Sequence, residues 1–359
     1  MGYNYLSSAI PKELANLTSL SVLDLGSSNL QGSVPYLPQV KELSVGNNPR
    51  IKIDLSLMFE FTWSHLEKLD ISFTQVNGSI PNSLSNTSSL IDFWASSCLI
   101  HGSIPRSLYN LSKLENLFLD VNYITGHLST SISNLQNLQY LSLCENSLQG
   151  PIPDSICKIS SLTYIHLAGN SITGALPKCI LQLTNLKVLM LSGNHMSGTI
   201  PSLMNLFQNS SAYIVTLGSS GLTVRVGEDS FPSNFQPVVL DLSACSMQGG
   251  IPNFLSNLTQ VEFLNLAQNN LSGTIPIWLF SLPNLGYLDL SFNNLEGIVP
   301  PTIRLQQIFG PTTLNLANNK LKGPIPLLAE AIEVINLSGN KFIGHIPSQF
   351  GGLQRLIGT

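Results

Sequence analysis

The sequence has little charge and no long uninterrupted apolar segment. Only 10% of its 359 residues are charged, and the net charge of −4 is not gathered into a block of one sign. Disordered chains are rich in charge and nucleic-acid-binding proteins carry a basic stripe, so we expect neither disorder nor nucleic-acid binding. No run approaches the ~18–20 apolar residues that span a bilayer, and the first residues lack the features of a signal peptide. We expect no membrane insertion by this chain itself.

Short catalytic and metal-binding motifs are also missing. The five cysteines show no CxxC or Cys/His metal spacing, and no GxGxxG, GxxxxGK or HExxH sequence occurs. The six histidines are dispersed, and no pair of acids is placed for general acid–base catalysis. From the sequence we therefore expect no enzyme, no cofactor and no metal site.

What the sequence does contain is a repeat. The segments LENLFLDVNYITG, LQYLSLCENSLQG and LTYIHLAGNSITG begin 24 residues apart, at Leu114, Leu138 and Leu162. Their consensus, LxxLxLxxNxLxGxIPxxL, recurs along the whole chain as about fourteen repeats, with partial repeats at both ends. Because such repeats bury their apolar faces only against neighbours, we predict one solenoid over residues 1–359. The partial terminal repeats are not polar caps, so we interpret the chain as part of a longer protein.

Each position of the consensus has a physical interpretation. The LxL sequence predicts a short parallel strand, and the residues after Ile-Pro predict a 3₁₀ or short helical turn. The Asn three residues after the strand, such as Asn146, is expected to hydrogen-bond loop backbone in neighbouring repeats. Cys98 and Cys245 occupy that same position, which favours a structural role for both.

Two segments, 49–65 and 202–236, depart from the consensus because they lack the Gly and the Ile-Pro. They are either degenerate repeats with longer outer loops or a specialised binding surface, since insertions in repeats often lie on one face.

The LxLxxN strand followed by LxGxIP resembles the plant-specific class of leucine-rich repeat, which is found in plant receptor-like proteins and receptor-like kinases. The resemblance implies an α/β repeat solenoid, a right-handed superhelix with a parallel β-sheet on its concave face. It also implies the extracellular, N-glycosylated region of a plasma-membrane receptor that signals in defence or development. Such a region binds a peptide, glycan or protein ligand and acts with a co-receptor kinase. A secreted inhibitor of microbial cell-wall-degrading enzymes, built from the same class of repeat, is the alternative.

Glycosylation sequences of the form N-x-S/T occur eight times. Four of them lie five residues after a consensus proline, on the expected outer arm, and we predict that these carry glycans: Asn16, Asn86, Asn110 and Asn257. The alternative is that an Asn- and Ser-rich repeat produces such sequences by composition alone.

Cys157 and Cys179 follow the successive consensus prolines Pro153 and Pro177 by four and two residues. Adjacent repeats lie ~4.8 Å apart, so the two Cα atoms can reach the ~4.4–6.8 Å of a disulfide. The surrounding SIC and PKC segments also resemble those of receptor-like relatives. A disulfide and two unpaired thiols both remain open.

The residue between the two strand leucines points out of the sheet, and in four of the five middle repeats it is large: Trp94, Phe118, His166 and Met190, with Tyr140 and Tyr164 one column away. We predict a ligand-binding strip here, because exposed aromatic clusters with polar neighbours mark interaction sites. The aromatic strip comprises Trp94, Phe118, Asp120, Tyr140, Glu145, Tyr164, His166 and Met190. The alternative is that bulky side chains on neighbouring strands only stack on one another.

Overall fold

The fold is seen in a computed structural model that describes residues 4–200, 211–225, 235–306, 310–328, 332–348, 350 and 357–358. The chain divides into two compact units, Met1–Asn185 and Leu186–Thr359, which are described in turn. None of the helices in the described segments is long and apolar enough to cross a membrane.

The first unit has a main parallel sheet to which each repeat contributes one three-residue strand. The strands pair in chain order, and the middle residue of each is a buried apolar side chain, as the LxL pattern predicts. They are Val22–Asp24, Glu42–Ser44, Lys68–Asp70, Asp92–Trp94, Asn116–Phe118, Tyr140–Ser142 and Tyr164–His166.

A second parallel sheet in this unit, called the outer sheet below, was not predicted from the sequence. Its strands follow the consensus Asn position in successive repeats: Gln31–Gly32, Arg50–Asp54, Gln75–Gly78, Leu99–Ser103, Tyr123–His127, Ser147–Gly150 and Ser171–Ile172. Because stacked repeats bring equivalent segments side by side, their backbone groups find partners in the neighbouring repeat.

The remaining elements of the first unit are short helices. Five-residue 3₁₀ helices follow the consensus prolines, with Ser129 in that place once, at Lys12–Asn16, Asn82–Asn86, Arg106–Asn110, Thr130–Asn134, Asp154–Lys158 and Lys178–Gln182. The irregular segment 49–65 instead holds the α-helix Leu55–Met58, whose first turn is capped by the Asp54 carboxylate accepting from the Ser56 and Leu57 amides.

The second unit repeats this plan. Its main strands are Val188–Met190, Ile214–Thr216, Val239–Asp241, Phe263–Asn265, Tyr287–Asp289, Thr313–Asn315, Val334–Asn336 and Ile357–Gly358. Its outer strands are Thr199–Ile200, Thr223–Val224, Gln248–Gly249, Asn270–Thr274, Asn294–Ile298, Thr302–Ile303, Lys320–Pro324, Leu327–Leu328 and Lys341–Ile343, and its described 3₁₀ helices are Asn253–Asn257 and Ile277–Ser281.

The second irregular segment, 202–236, is described only in part. Its strand Ile214–Thr216 pairs with Val188–Met190 on one side and Val239–Asp241 on the other, so this repeat keeps its place in the main sheet. The rest of the segment, 202–210 and 226–234, lies outside the described residues.

The consensus Asn links neighbouring repeats as the sequence predicts. The side-chain nitrogen of Asn146 donates to the carbonyls of Leu119, Leu143 and Cys144 at 2.9–3.2 Å, and its oxygen accepts from the Ile124 amide at 2.9 Å. One side chain thus satisfies four backbone groups.

The consensus Gly is required by conformation. Gly126 has φ +82°, and a Cβ there would lie 3.0 Å from the Cβ of Ser103 in the preceding repeat. Both the left-handed backbone and the close approach exclude a larger residue.

Candidate functional site

The aromatic strip lies mainly in the first unit, on four consecutive main strands. Trp94 pairs in register with Phe118, Phe118 with Ser142, and Ser142 with His166, while Tyr140 pairs with Tyr164 one column away. Met190 ends the strand Val188–Met190 of the second unit and is half-buried there.

Four of these rings form a continuous aromatic ladder, comprising Phe118, Tyr140, Tyr164 and His166. The ring centroids of Phe118 and Tyr140 lie 6.2 Å apart with their planes at 28°, and those of Tyr140 and Tyr164 lie 5.8 Å apart at 31°. Tyr164 meets His166 edge to face at 6.1 Å. These are favourable aromatic geometries, and they connect three repeats.

The aromatic side chains of the strip are less exposed than the sequence suggested. Tyr140 is exposed, at 40%, whereas Trp94, Phe118, Tyr164 and His166 are half-buried. Large side chains on strands only ~4.8 Å apart cover one another's faces. The rings on neighbouring strands therefore do stack on one another, as the alternative interpretation expects. Ligand binding by the same rings stays a prediction.

Asp120 lies beside the ladder, held by groups from the repeats on both sides. Its carboxylate accepts from the Ser96 hydroxyl at 3.1 Å, from the Cys144 amide at 3.1 Å and from the Ser142 hydroxyl. Glu145 is exposed and has a left-handed backbone with φ 51°. The two acids of the predicted strip thus lie in successive repeats.

The structure also brings together a side-chain cluster that sequence reasoning missed. A ligand atom from each of Asp120, Cys144 and His166 lies within 4.8 Å of the others, and all three residues are half-buried. Burial, together with the negative charge of Asp120, raises the pKa of the Cys144 thiol to about 12. Burial lowers the pKa of His166, so its neutral form is favoured. The members are 24 and 22 residues apart, about one repeat, a spacing that short metal motifs do not contain.

Comparison with known proteins agrees with the repeat geometry. A leucine-rich repeat family profile matches residues 112–172, and a second one matches 65–87, 185–207, 260–282, 284–305 and 331–353. The chain has the leucine-rich repeat fold. Among curated proteins, none matches it.

Several solved leucine-rich repeat structures are similar over this whole chain. A plant peptide hormone receptor, RGFR1 in complex with RGF2, is 29% identical over 100% of this chain and 57% of its own, with a TM-score of 0.79. The ectodomain of the membrane receptor kinase GASSHO1/SCHENGEN3 from Arabidopsis thaliana, in complex with CASPARIAN STRIP INTEGRITY FACTOR 2, is 27% identical over 99% and 46%, with a TM-score of 0.80. The complex PEPR1–AtPEP1 is 28% identical over 100% and 54%, with a TM-score of 0.77. The chain therefore spans about half the length of these structures.

The irregular repeat 49–65 builds a cavity of about 820 Å³ in this leucine-rich repeat chain. Trp63 is buried in its wall and donates from Nε1 to the Met58 carbonyl at 2.8 Å, while Tyr36 contacts both Trp63 and Phe61. Leu57 and Phe61 lie at its rim, exposed at 65% and 55%. The specialised-surface interpretation of this segment stays a prediction.

A second aromatic pair went unnoticed in the sequence. Phe263 and Tyr287, in the second unit, stack with centroids 4.0 Å apart and planes at 11°. They pair in register on adjacent main strands and occupy the same consensus column as Tyr140 and Tyr164. Reading that column along all the repeats would have found them.

The candidate disulfide and the predicted glycosylation residues both involve the 3₁₀ helices. Cys157 and Cys179 form a disulfide between successive 3₁₀ helices, with their Cα atoms 5.8 Å apart. Each predicted glycosylation residue is the last residue of a 3₁₀ helix and is exposed: Asn16, Asn86, Asn110 and Asn257. Whether these asparagines carry glycans stays a prediction.

Proposed function

We propose that this chain is the ligand-recognition region of a plant cell-surface receptor, and that its aromatic ladder binds a peptide. The observation that carries the proposal is the ladder itself: aromatic rings on three successive strands, with the exposed Tyr140 at its centre and Asp120 beside it. Aromatic residues supply much of the energy of protein interfaces, and a neighbouring carboxylate adds selectivity.

A peptide suits the dimensions of this face. From Trp94 to His166 the ladder and its flank cross four strands, or ~15 Å at ~4.8 Å per strand. An extended peptide rises ~3.3 Å per residue, so about five residues would cover this distance. The structurally similar RGFR1 is a plant peptide hormone receptor solved in complex with RGF2, which supports the same class of ligand here.

The cellular setting is part of the proposal. A disulfide and exposed glycosylation sequences favour the oxidising, extracellular side of the plasma membrane. The receptor-like resemblance implies a co-receptor kinase as the signalling partner of the whole protein. Signalling in defence or development follows from the same resemblance.

The test is selection of binders from a displayed random-peptide library on the secreted, folded chain, followed by affinity measurement with a selected synthetic peptide. We expect the double variant Phe118→Ala/Tyr140→Ala to weaken binding at least about tenfold, because it removes two adjacent aromatic contacts. The matched control is Phe263→Ala/Tyr287→Ala, which removes the equivalent stacked pair from the second unit.

Loss of affinity only in the control would place the site in the second unit and contradict the proposal for the ladder. If no peptide is selected while the chain inhibits a microbial cell-wall-degrading enzyme, the inhibitor alternative replaces the receptor.

A further inference from the structure

We propose that Asp120, Cys144 and His166 form a binding site for a divalent transition-metal ion, with Zn²⁺ as the best match. The three residues come from successive repeats: Asp120 and Cys144 each lie two residues beyond a main strand, and His166 ends the next one. Their ligand atoms lie within 4.8 Å of one another. A carboxylate oxygen, a sulfur and an imidazole nitrogen are the three ligand types that zinc sites use.

The distances between the three ligand atoms are close to those of a metal site, so the side chains need to move only slightly to enclose an ion. Zinc bonds of ~2.0–2.3 Å in a tetrahedron place neighbouring ligand atoms about 3.5 Å apart. The ligand atoms therefore need to approach one another by about 1.3 Å at most, which rotation of the Cys144 and His166 side chains can provide. Three protein ligands leave a fourth position open to water or to a further group.

The outer groups of the cluster are already arranged to hold these ligands. Asp120 is fixed by the Ser96 and Ser142 hydroxyls and by the Cys144 amide, which together leave one acceptor position of the carboxylate available. The Tyr164 hydroxyl lies 3.4 Å from Nδ1 of His166 and orients the ring. Hydrogen bonds of this kind to the ligands are typical of metal sites.

Cys144 differs from the other four cysteines of the chain. Cys157 and Cys179 form the disulfide, while Cys98 and Cys245 are buried and donate to the carbonyls of Ile71 and Leu217. Cys144 alone is a half-buried free thiol beside a carboxylate and an imidazole. Binding of the metal would exchange the thiol proton for a sulfur–metal bond, and the proton would be released to solvent.

Spectroscopic titration with Co²⁺ tests the site in the full, disulfide-intact chain, produced without a histidine tag and freed of metal with a chelator. We expect one equivalent to give a sulfur-to-cobalt charge-transfer band and tetrahedral d–d bands, and Zn²⁺ to displace the cobalt. Cys144→Ser should abolish the charge-transfer band, and His166→Gln should weaken Zn²⁺ binding, measured against a chromophoric chelator, at least about tenfold.

The matched control is His127→Gln, which removes an exposed histidine of the same unit outside the cluster and should bind as the unchanged chain does. Circular dichroism of each variant separates lost binding from lost folding. The proposal is overturned if the unchanged chain shows no charge-transfer band, or if folded Cys144→Ser and His166→Gln bind Zn²⁺ as tightly as the unchanged chain.

Discussion

At the scale of single residues, the consensus Asn is the side chain that makes each repeat depend on its neighbour. Asn122, Asn170, Asn293 and Asn319 repeat the pattern of Asn146, each donating to three carbonyls of its own and the preceding repeat. Where Cys98 replaces it, the thiol reaches the Ile71 carbonyl at 3.3 Å and the Ser96 carbonyl at 3.5 Å, so fewer backbone groups are satisfied.

The replacement Asn146→Leu therefore tests this link between neighbouring repeats. It keeps a side chain of similar size but leaves the Leu119 and Leu143 carbonyls and the Ile124 amide without this partner. We expect the free energy of unfolding to fall by ~1–3 kcal/mol, because buried polar groups lose their partner. Urea denaturation gives the value, with the exposed Gln149→Leu in the same repeat as control. An unchanged midpoint in Asn146→Leu would contradict this role.

The sequence predicted this role because it depends only on the repeat period, which places equivalent residues of adjacent repeats side by side. The exposure of Trp94 and Phe118 was not predictable in the same way. It depends on side-chain rotamers and on which ring leans over its neighbour, and neither follows from the position in the consensus. The Asp120–Cys144–His166 cluster was missed because it spans three repeats, with Asp120 and Cys144 at one consensus position and His166 at another, so no short motif joins the three residues.

At the scale of elements, the LxL pattern predicts the main strands, and the consensus proline predicts the 3₁₀ helices. The outer sheet was missed because its strands, such as Tyr123–His127, lack the alternating apolar pattern by which strands are recognised. Their pairing results from the stacking of repeats rather than from their own sequence.

The disulfide joins the 3₁₀ helices Asp154–Lys158 and Lys178–Gln182 of successive repeats, and its cysteines have a sequence separation of 22. Closing a loop of this length restricts the unfolded chain and is worth ~3 kcal/mol. We expect Cys157→Ala/Cys179→Ala to lose about that much free energy of unfolding in denaturant titration. A reducing agent should destabilise the unchanged chain by a similar amount and leave the double variant unaffected. Equal stability of both proteins under oxidising conditions would show that the bond is not formed in solution.

At the scale of the whole molecule, the repeat period separates two kinds of surface. Asparagines at the ends of the 3₁₀ helices, such as Asn86 and Asn110, are exposed on the arm, whereas the aromatic ladder lies on the main strands. The structure provides an internal comparison, because Asn336 also begins an N-x-S sequence but ends a main strand. It is half-buried, and its side-chain oxygen accepts from the amide and hydroxyl of Ser338 at 3.1 and 2.7 Å.

Secretion of the chain from a plant or insect cell should therefore give an uneven pattern of modification. We expect glycans at Asn16, Asn86, Asn110 and Asn257, whose side chains are exposed and lie on the arm, and little or none at Asn336. Glycosidase treatment in ¹⁸O-water followed by peptide mass mapping measures the occupancy of each site, and Asn110→Gln provides a mass-shift control at one of them. Occupancy of Asn336 with the four arm sites empty would mean that the main-strand face is the more accessible one. A ligand-binding role for the aromatic ladder depends on the opposite arrangement, because bulky glycans on that face would block the approach of a peptide.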